Sequence, residues 1–410
     1  MENPKNENSQ KLIVTAAYYI AFITLGLTVG AIGPSLPTLA KHTHTALDGI
    51  SFIFITNSLG YLAGSWIGGR AYDRFPGHWM MASALVIASL MLFFLPIIST
   101  LWMLALLMAV LGFFQGSVDV GGNTLLIWLH GSKVGPFMSG LHFTFGFGAF
   151  VAPIVVAQIT NLNGDIHWVY WLYAIVNIPI ALWIWALPSP EVRAKAIAAD
   201  EPKVDASPLV LALLVAFFFF YVGLESGYGN WIYTYTITLK MADATWAAYL
   251  TSTFWGAFTL FRLFGVWVSA RTSSQSILFA NFAGSAIGVG LVLLMPGSQF
   301  ALWAGTIILG ASIALIFPTM LTLAEQRLHL TGSITSWFFA GASMGHMILP
   351  WLIGQLFVRL GATSMMVVIM IDVVLDVLAL GLVLGKSKLE LRRGGPSRGQ
   401  HLRPGQLESE

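Results

Sequence analysis

A single offset of 197 residues aligns three distant parts of this chain. It lays Gly148-Ala149-Phe150-Val151-Ala152-Pro153 on Gly345-His346-Met347-Ile348-Leu349-Pro350, and Gln158 on Gln355. It also lays Gly26 and Gly30 on Gly223 and Gly227, and Arg74 on Arg271. One offset that works at separate places marks an internal duplication. The duplicated stretches are apolar, so the repeated unit is a set of membrane spans in one orientation. The chain is thereby restricted to a bundle of spanning helices in two related halves. Parallel halves with a site at the midplane between them are the architecture of secondary transporters.

Composition agrees. Hydrophobic residues make up 57% of the chain and charged ones 9%, where a soluble domain carries about 25% charge. There is no cysteine, hence no disulfide framework and no thiolate metal site. A net charge of +2 is too small to suggest a nucleic-acid partner. The first ten residues are polar, and the apolar stretch from Leu12 runs too long for the core of a cleavable signal. No phosphate loop, His-Glu-x-x-His or nucleophile elbow is present, so ATP-driven transport and intramembrane hydrolysis have no anchor.

Apolar stretches of about 20 residues read as spanning helices. Twelve are expected, over 12–36, 47–70, 78–97, 101–129, 135–160, 167–188, 208–238, 243–270, 276–296, 298–324, 332–360 and 362–386. The expected organisation is a six-helix half over 1–188, a polar linker over 189–207, a second six-helix half over 208–388, and a disordered tail over 389–410 that reads in part as a cloning remnant. With both termini in the cytoplasm, the inner side receives Lys5, Lys11, Arg70, Arg74, Lys133, Arg193, Lys195, Lys203, Arg271, Arg327 and the basic run after Lys386. The outer side receives Lys41, Lys240 and Arg359. That asymmetry sets the expected orientation.

Charges inside spans are costly and mark function or a partner. Asp119 lies well inside span four, with Gln115 and Asn123 at i−4 and i+4 on one face. Gly112 and Gly116 would let a neighbouring helix approach that face. Glu225 is similarly deep in span seven, and its repeat mate is the neutral Thr28. Gly223, Gly227 and Gly229 weaken the helix around it, which suggests a bent or discontinuous span. Arg262 is the basic residue deep in a span and needs an acid, a backbone carbonyl or an anionic substrate. Asp372 and Asp376 share one face of span twelve, where helix packing competes with function. His142 and His346 are candidates to line a cavity. Tyr228, Asn230, Trp231 and Trp255 offer an aromatic platform beside amide groups, which suits a sugar.

Twelve spans in a six-plus-six repeat resemble the major facilitator superfamily. The loop Gly68-Gly69-Arg70-Ala71-Tyr72-Asp73-Arg74-Phe75-Pro76-Gly77 resembles that family's cytoplasmic gating motif, although its Gly is displaced by one position and two closing Arg are missing. The resemblance implies gating roles for Arg70, Asp73 and Arg74. Gln115 to Asn123, Tyr221 to Trp231, Phe317-Pro318-Thr319 and Gly341 to Pro350 resemble the branch of fucose–proton symporters and sodium-dependent glucose transporter-like proteins. This implies ion coupling by Asp119, Asn123 and Glu225. Span one here lacks the carboxylate that those symporters carry.

The expected protein is an all-α integral membrane transporter of the major facilitator fold. It is no enzyme, has no cofactor, and works as a monomer in the inner membrane of a bacterium. Its expected cargo is a hexose-like sugar coupled to Na+ or H+. Asp119 and Asn123 form the candidate Na+ site, with Gln115 and Thr28 adding oxygens, and the missing acid in span one leans the reading towards Na+. A proton-coupled exporter of lipophilic compounds and a non-transporting receptor or scaffold are the alternatives.

Overall fold

A computed structural model describes residues 4–191, 208–325 and 332–393. The first half comprises α1 (Pro4–His42), α2 (Leu47–Ile50), α3 (Phe52–Tyr72), α4 (Gly77–Phe94), α5 (Leu101–His130), α6 (Gly135–Asn163) and α7 (His167–Ala186). The second comprises α8 (Pro208–Thr238), α9 (Ala244–Ser269), α10 (Ser274–Leu294), α11 (Gln299–Ile313), α12 (Ile316–Glu325), α13 (Gly332–Leu360) and α14 (Ser364–Arg393). The 197-residue offset carries Leu47 onto Ala244, Gly77 onto Ser274, Gly135 onto Gly332 and His167 onto Ser364, and each of these residues starts a helix. The duplication seen in short motifs therefore holds for the helix plan.

Packing repeats as well. In the first half a Cβ at Gly148 would strike the carbonyl of Ile23, and in the second a Cβ at Gly345 would strike the carbonyl of Phe219. These glycines let α6 lie against α1, and α13 against α8, at backbone contact, the small-residue packing of membrane helices.

Among the described residues, eleven helical segments are long and apolar enough to span a membrane. The 26-residue α9 is long enough but too polar to join them. It is the eighth span of the sequence reading, the one that these eleven leave out, and the offset pairs it with the α2–α3 segment. Its hydroxyls are used internally: Ser252 donates to the carbonyl of Phe150 and Thr251 to that of Ala247.

Three expectations change. The span around Glu225 is one continuous helix, Pro208–Thr238. Its glycines serve packing instead, with Gly223 against Leu349, Gly227 against Ile353 and Gly229 against Trp255. The broken span is the tenth, split into α11 and α12. Pro318 explains the break: it has no N–H to give the carbonyl four residues back, that of Ala314. The last helix runs on to Arg393, so the first residues of the expected tail are helical. Most of the linker and the tail beyond 393 lie outside the described residues.

Candidate functional site

Asp119 owes its surroundings to a glycine seam between α3 and α5. Cβ atoms at Gly60 and Gly64 would strike the carbonyls of Ala109 and Phe113. Those at Gly112 and Gly116 would strike the carbonyls of Asn57 and Tyr61. The two backbones therefore touch, and Tyr61 is brought onto the acid: its hydroxyl donates to Asp119 Oδ2 at 2.5 Å. Asn123 donates its Nδ2 to the Asp119 carbonyl at 2.9 Å and to Oδ1 at 3.2 Å. The backbone carbonyl fixes that amide's orientation, so nitrogen, not oxygen, faces the carboxylate. Both groups that contact the carboxylate are donors.

Glu225 sits on the opposite half. Tyr221 Oη lies 2.8 Å from Glu225 Oε2 and 3.1 Å from the carbonyl of Ile313. The helix break at Pro318 leaves the neighbouring carbonyl of Ala314 free, and Arg262 Nε takes it at 3.4 Å. The Arg262 guanidinium also rests 4.3 Å from the centre of the Phe258 ring, a cation–π contact.

His142 connects the two acids. It lies within charge-interaction range of Asp119 and of Arg262, and Arg262 lies within such range of Glu225. The order Asp119, His142, Arg262, Glu225 runs across the divide, two groups from each half. His142 is exposed, while Asp119, Asn123, Glu225 and Arg262 are half-buried. A row of ionisable groups in mid-span, none fully buried, thus marks the divide between the halves as the candidate cleft.

Beyond this row the halves are latched at the end that holds Thr45. Gln355 Nε2 donates to the carbonyl of Asp48 at 2.9 Å, and Ser51 Oγ to that of Trp351 at 3.4 Å. Ser58 Oγ and His346 Nδ1 lie 2.9 Å apart. Asn161 donates to Thr245 at 2.9 Å and Gln158 to Tyr249 at 2.5 Å. These bonds join the halves on the Thr45 side of the row.

Of the remaining candidates, Trp231 is fully buried and donates its indole N–H to the carbonyl of Pro350 at 2.9 Å. Tyr228 is buried with its hydroxyl 2.7 Å from that of Thr306, and Asn230 bonds back to Ser226. Trp255 is buried against Phe254 and Phe258. These four build the second half and the latch and are not gathered with the charged row. Gln115 and Thr28 are buried in the first half, apart from Asp119. Among the described residues no group of three or more His, Asp or Glu is placed to hold a metal ion.

Arg70, in the last turn of α3, and Asp73 and Arg74, just after that helix, are exposed. Arg70 stacks 3.9 Å from the Trp66 ring and bonds to its carbonyl. Asp372 and Asp376 are buried, and neither Asp376 oxygen has a hydrogen-bond partner. Tyr61 and Tyr221 were not singled out from sequence. A signal existed for each: Asn57, Tyr61 and Ser65 recur every fourth residue, as Gln115 and Asp119 do, and Tyr221 stands one turn before Glu225.

A helical bundle with ionisable groups at a cleft between two duplicated halves is the construction of a membrane transporter rather than an enzyme. The chain belongs to the major facilitator superfamily, whose profile matches residues 18–350. It is 29% identical over 374 residues to sodium-dependent glucose transporter 1A of Mus musculus, covering 82% of this chain and 88% of that protein. It is 24% identical over 452 residues to major facilitator superfamily domain-containing protein 4A of Homo sapiens, covering 86% and 88%. Among solved structures it is similar to the nucleoside transporter NupG, with TM-score 0.70, 16% identity and coverage of 92% and 98%. It is also similar to a bacterial homologue of the human lysosomal transporter Spinster in an inward-facing, occupied conformation, with TM-score 0.73, 12% identity and coverage of 97% and 100%. The solved structures share the fold.

Proposed function

We propose that this protein is a secondary active transporter that moves a small polar solute, a hexose-like sugar, by alternating access coupled to H+ or Na+. The observation that carries the reading is the row Asp119, His142, Arg262, Glu225 across the cleft. Each half contributes one carboxylate, so a change of charge at either acid alters the attraction between the halves. Rocking about the latch would then expose the cleft to alternate sides. Similarity to sodium-dependent glucose transporters supports a sugar as cargo.

The geometry favours a proton as the coupling ion. Sodium prefers several oxygen ligands, yet Asp119 receives an amide N–H and a phenol O–H. The Tyr221 hydroxyl has one proton and two oxygens within reach. If the Ile313 carbonyl takes that proton, the contact to Glu225 is completed by a proton on the acid. Sodium is the second reading, supported by the similarity to sodium-dependent glucose transporters.

With the basic residues inside, the termini are cytoplasmic, the cleft is inward-open and the Thr45 latch is external. The membrane is the inner membrane of a bacterium, and the unit is a monomer. Uptake of labelled hexoses into proteoliposomes tests the reading. A pH gradient in Na+-free buffer should drive accumulation. Accumulation only with a Na+ gradient at constant pH decides for sodium, and no hexose flux under either gradient rejects the sugar reading. A cysteine at Ser207 should resist an impermeant reagent in intact cells while one at Thr45 reacts, and the reverse pattern rejects the orientation.

A further inference from the structure

The first half holds a polar cavity separate from the charged row. Its volume is about 20 Å3, and all nine residues that line it are buried. Four are polar: Thr24 and Thr28 of α1, Gln115 of α5 and Asn177 of α7. The other five are apolar. Gln115 Nε2 and Asn177 Oδ1 have no hydrogen-bond partner, and their residues are 4% and 3% exposed. Buried polar atoms without partners are rare and point to a ligand or water.

The surroundings fix what the cavity offers. Asn57 Nδ2 donates to the carbonyl of Met108 at 3.2 Å, which sets the Asn57 amide. The same Nδ2 donates to Gln115 Oε1 at 3.1 Å. A flipped Gln115 would bring two amide N–H groups face to face, so its Nε2 must turn to the cavity. Thr24 gives its hydroxyl proton to the carbonyl of Ala21 at 2.8 Å, and Thr28 gives its own to that of Thr24 at 2.9 Å. Both threonine oxygens therefore have only lone pairs left. The cavity presents the Gln115 N–H donor, two threonine oxygens as acceptors, and the Asn177 amide.

We infer that this cavity is a binding site for one water molecule that ties α1, α5 and α7 together. A water needs about 10–15 Å3 and two to four polar partners, and both conditions are met. It accepts from Gln115 Nε2 and donates its two protons to threonine or asparagine oxygens. A sodium ion of similar size is repelled by the amide N–H and finds too few oxygens. Gln115 and Thr28, which the sequence pattern offered as cation ligands, hold a neutral molecule instead. The site fixes the rotation of α5 one helical turn before Asp119, so Gln115, Thr28 and Asn177 act as positioning residues.

The test is high-resolution diffraction from the full chain, soaked with thallium(I) as a heavy stand-in for a monovalent cation. Density is expected within about 3.2 Å of Gln115 Nε2 and of a threonine hydroxyl, with no anomalous signal there. It should persist when Na+ is replaced by choline. An anomalous thallium peak in the cavity, or no density in it, overturns the inference whether or not the protein moves a sugar. Gln115→Glu replaces the donor by an anionic oxygen and should create a thallium peak. Thr28→Val removes one acceptor of the water and should shift the cation concentration for half-maximal uptake by less than about tenfold. A shift of about tenfold or more, the mark of a lost ligand, overturns the inference as well.

Discussion

The two halves share a helix plan and differ at the corresponding place where each could hold a charge. The 197-residue offset carries Thr24 and Thr28 onto Tyr221 and Glu225. In the second half this pair sits on α8, with Tyr221 bonded to Glu225 and to a carbonyl beside the helix break at Pro318. In the first half the same positions are short hydroxyls beside a small polar cavity, and the acid has moved to α5, where Tyr61 of α3 supplies the phenol. A tyrosine–carboxylate pair thus occurs once in each half, built from different helices. A duplicated scaffold repeats what packing requires, namely the glycine contacts, while the costly buried charges are placed independently.

The largest expected effect is at the acids. Asp119→Asn keeps shape and one hydrogen-bonding oxygen but removes the charge. It should abolish gradient-driven accumulation in proteoliposomes while the protein still folds. Glu225→Gln should do the same if the halves are functionally equivalent. Loss at Asp119 with retention at Glu225 would show that coupling resides in the first half alone.

Next comes the shared scaffold. Gly148→Val and Gly345→Val each force a side chain into a facing backbone, and overpacking costs about 1–3 kcal/mol or more. Both should lower the melting temperature of detergent-solubilised protein by comparable amounts. Gly381→Ala, where a Cβ meets nothing within 4 Å, should leave it unchanged. Tolerance at one of the paired sites and collapse at the other would break the packing equivalence.

A smaller effect is expected at the tyrosines. Tyr61→Phe removes one hydrogen bond to a carboxylate, worth roughly 1.5–3 kcal/mol. It should shift the ion concentration needed for half-maximal uptake by about tenfold or more. Tyr221→Phe should shift it by a similar factor, and an unchanged value at either position would separate the two halves.

The smallest is a pH effect at the Thr45 end. Burial pulls the Asp165 carboxyl upward, but its hydrogen bond to His167 and the nearby His42 outweigh this and hold it below its ordinary value. A depressed acid contributes stability that is complete above its unfolded value, about 3.9. That stability is lost as pH falls through the lower folded value. Asp165 is 37% exposed, so Asp165→Asn should lower the melting temperature slightly at neutral pH and not at all in strong acid. An equal loss at both would assign it another role.

Much of the scaffold was legible in the sequence because apolar runs and glycine spacing are local signals. The span α9 is the least apolar, since its hydroxyls and Arg262 dilute it, yet the apolar stretch over 243–270 still marks it and the repeat agrees. The site was legible in part. Asp119 and Glu225 stood out because a charge in an apolar run is costly. The stripe Gln115, Asp119, Asn123 misled by its regularity. Steps of four residues advance about 40° beyond a full turn, so Gln115 and Asn123 point about 80° apart. One faces the interior of its own half, and the other stays with the acid at the cleft. Tyr61 and the partners of Gln115 come from other helices, and no local pattern shows which faces meet.

The most direct test is accumulation of a labelled hexose in proteoliposomes under an imposed pH gradient, Na+-free, for the parent protein and for Asp119→Asn. The account predicts uptake above equilibrium by the parent and none by the variant, with both proteins folded. Equal accumulation by the two would contradict the assignment of coupling to Asp119.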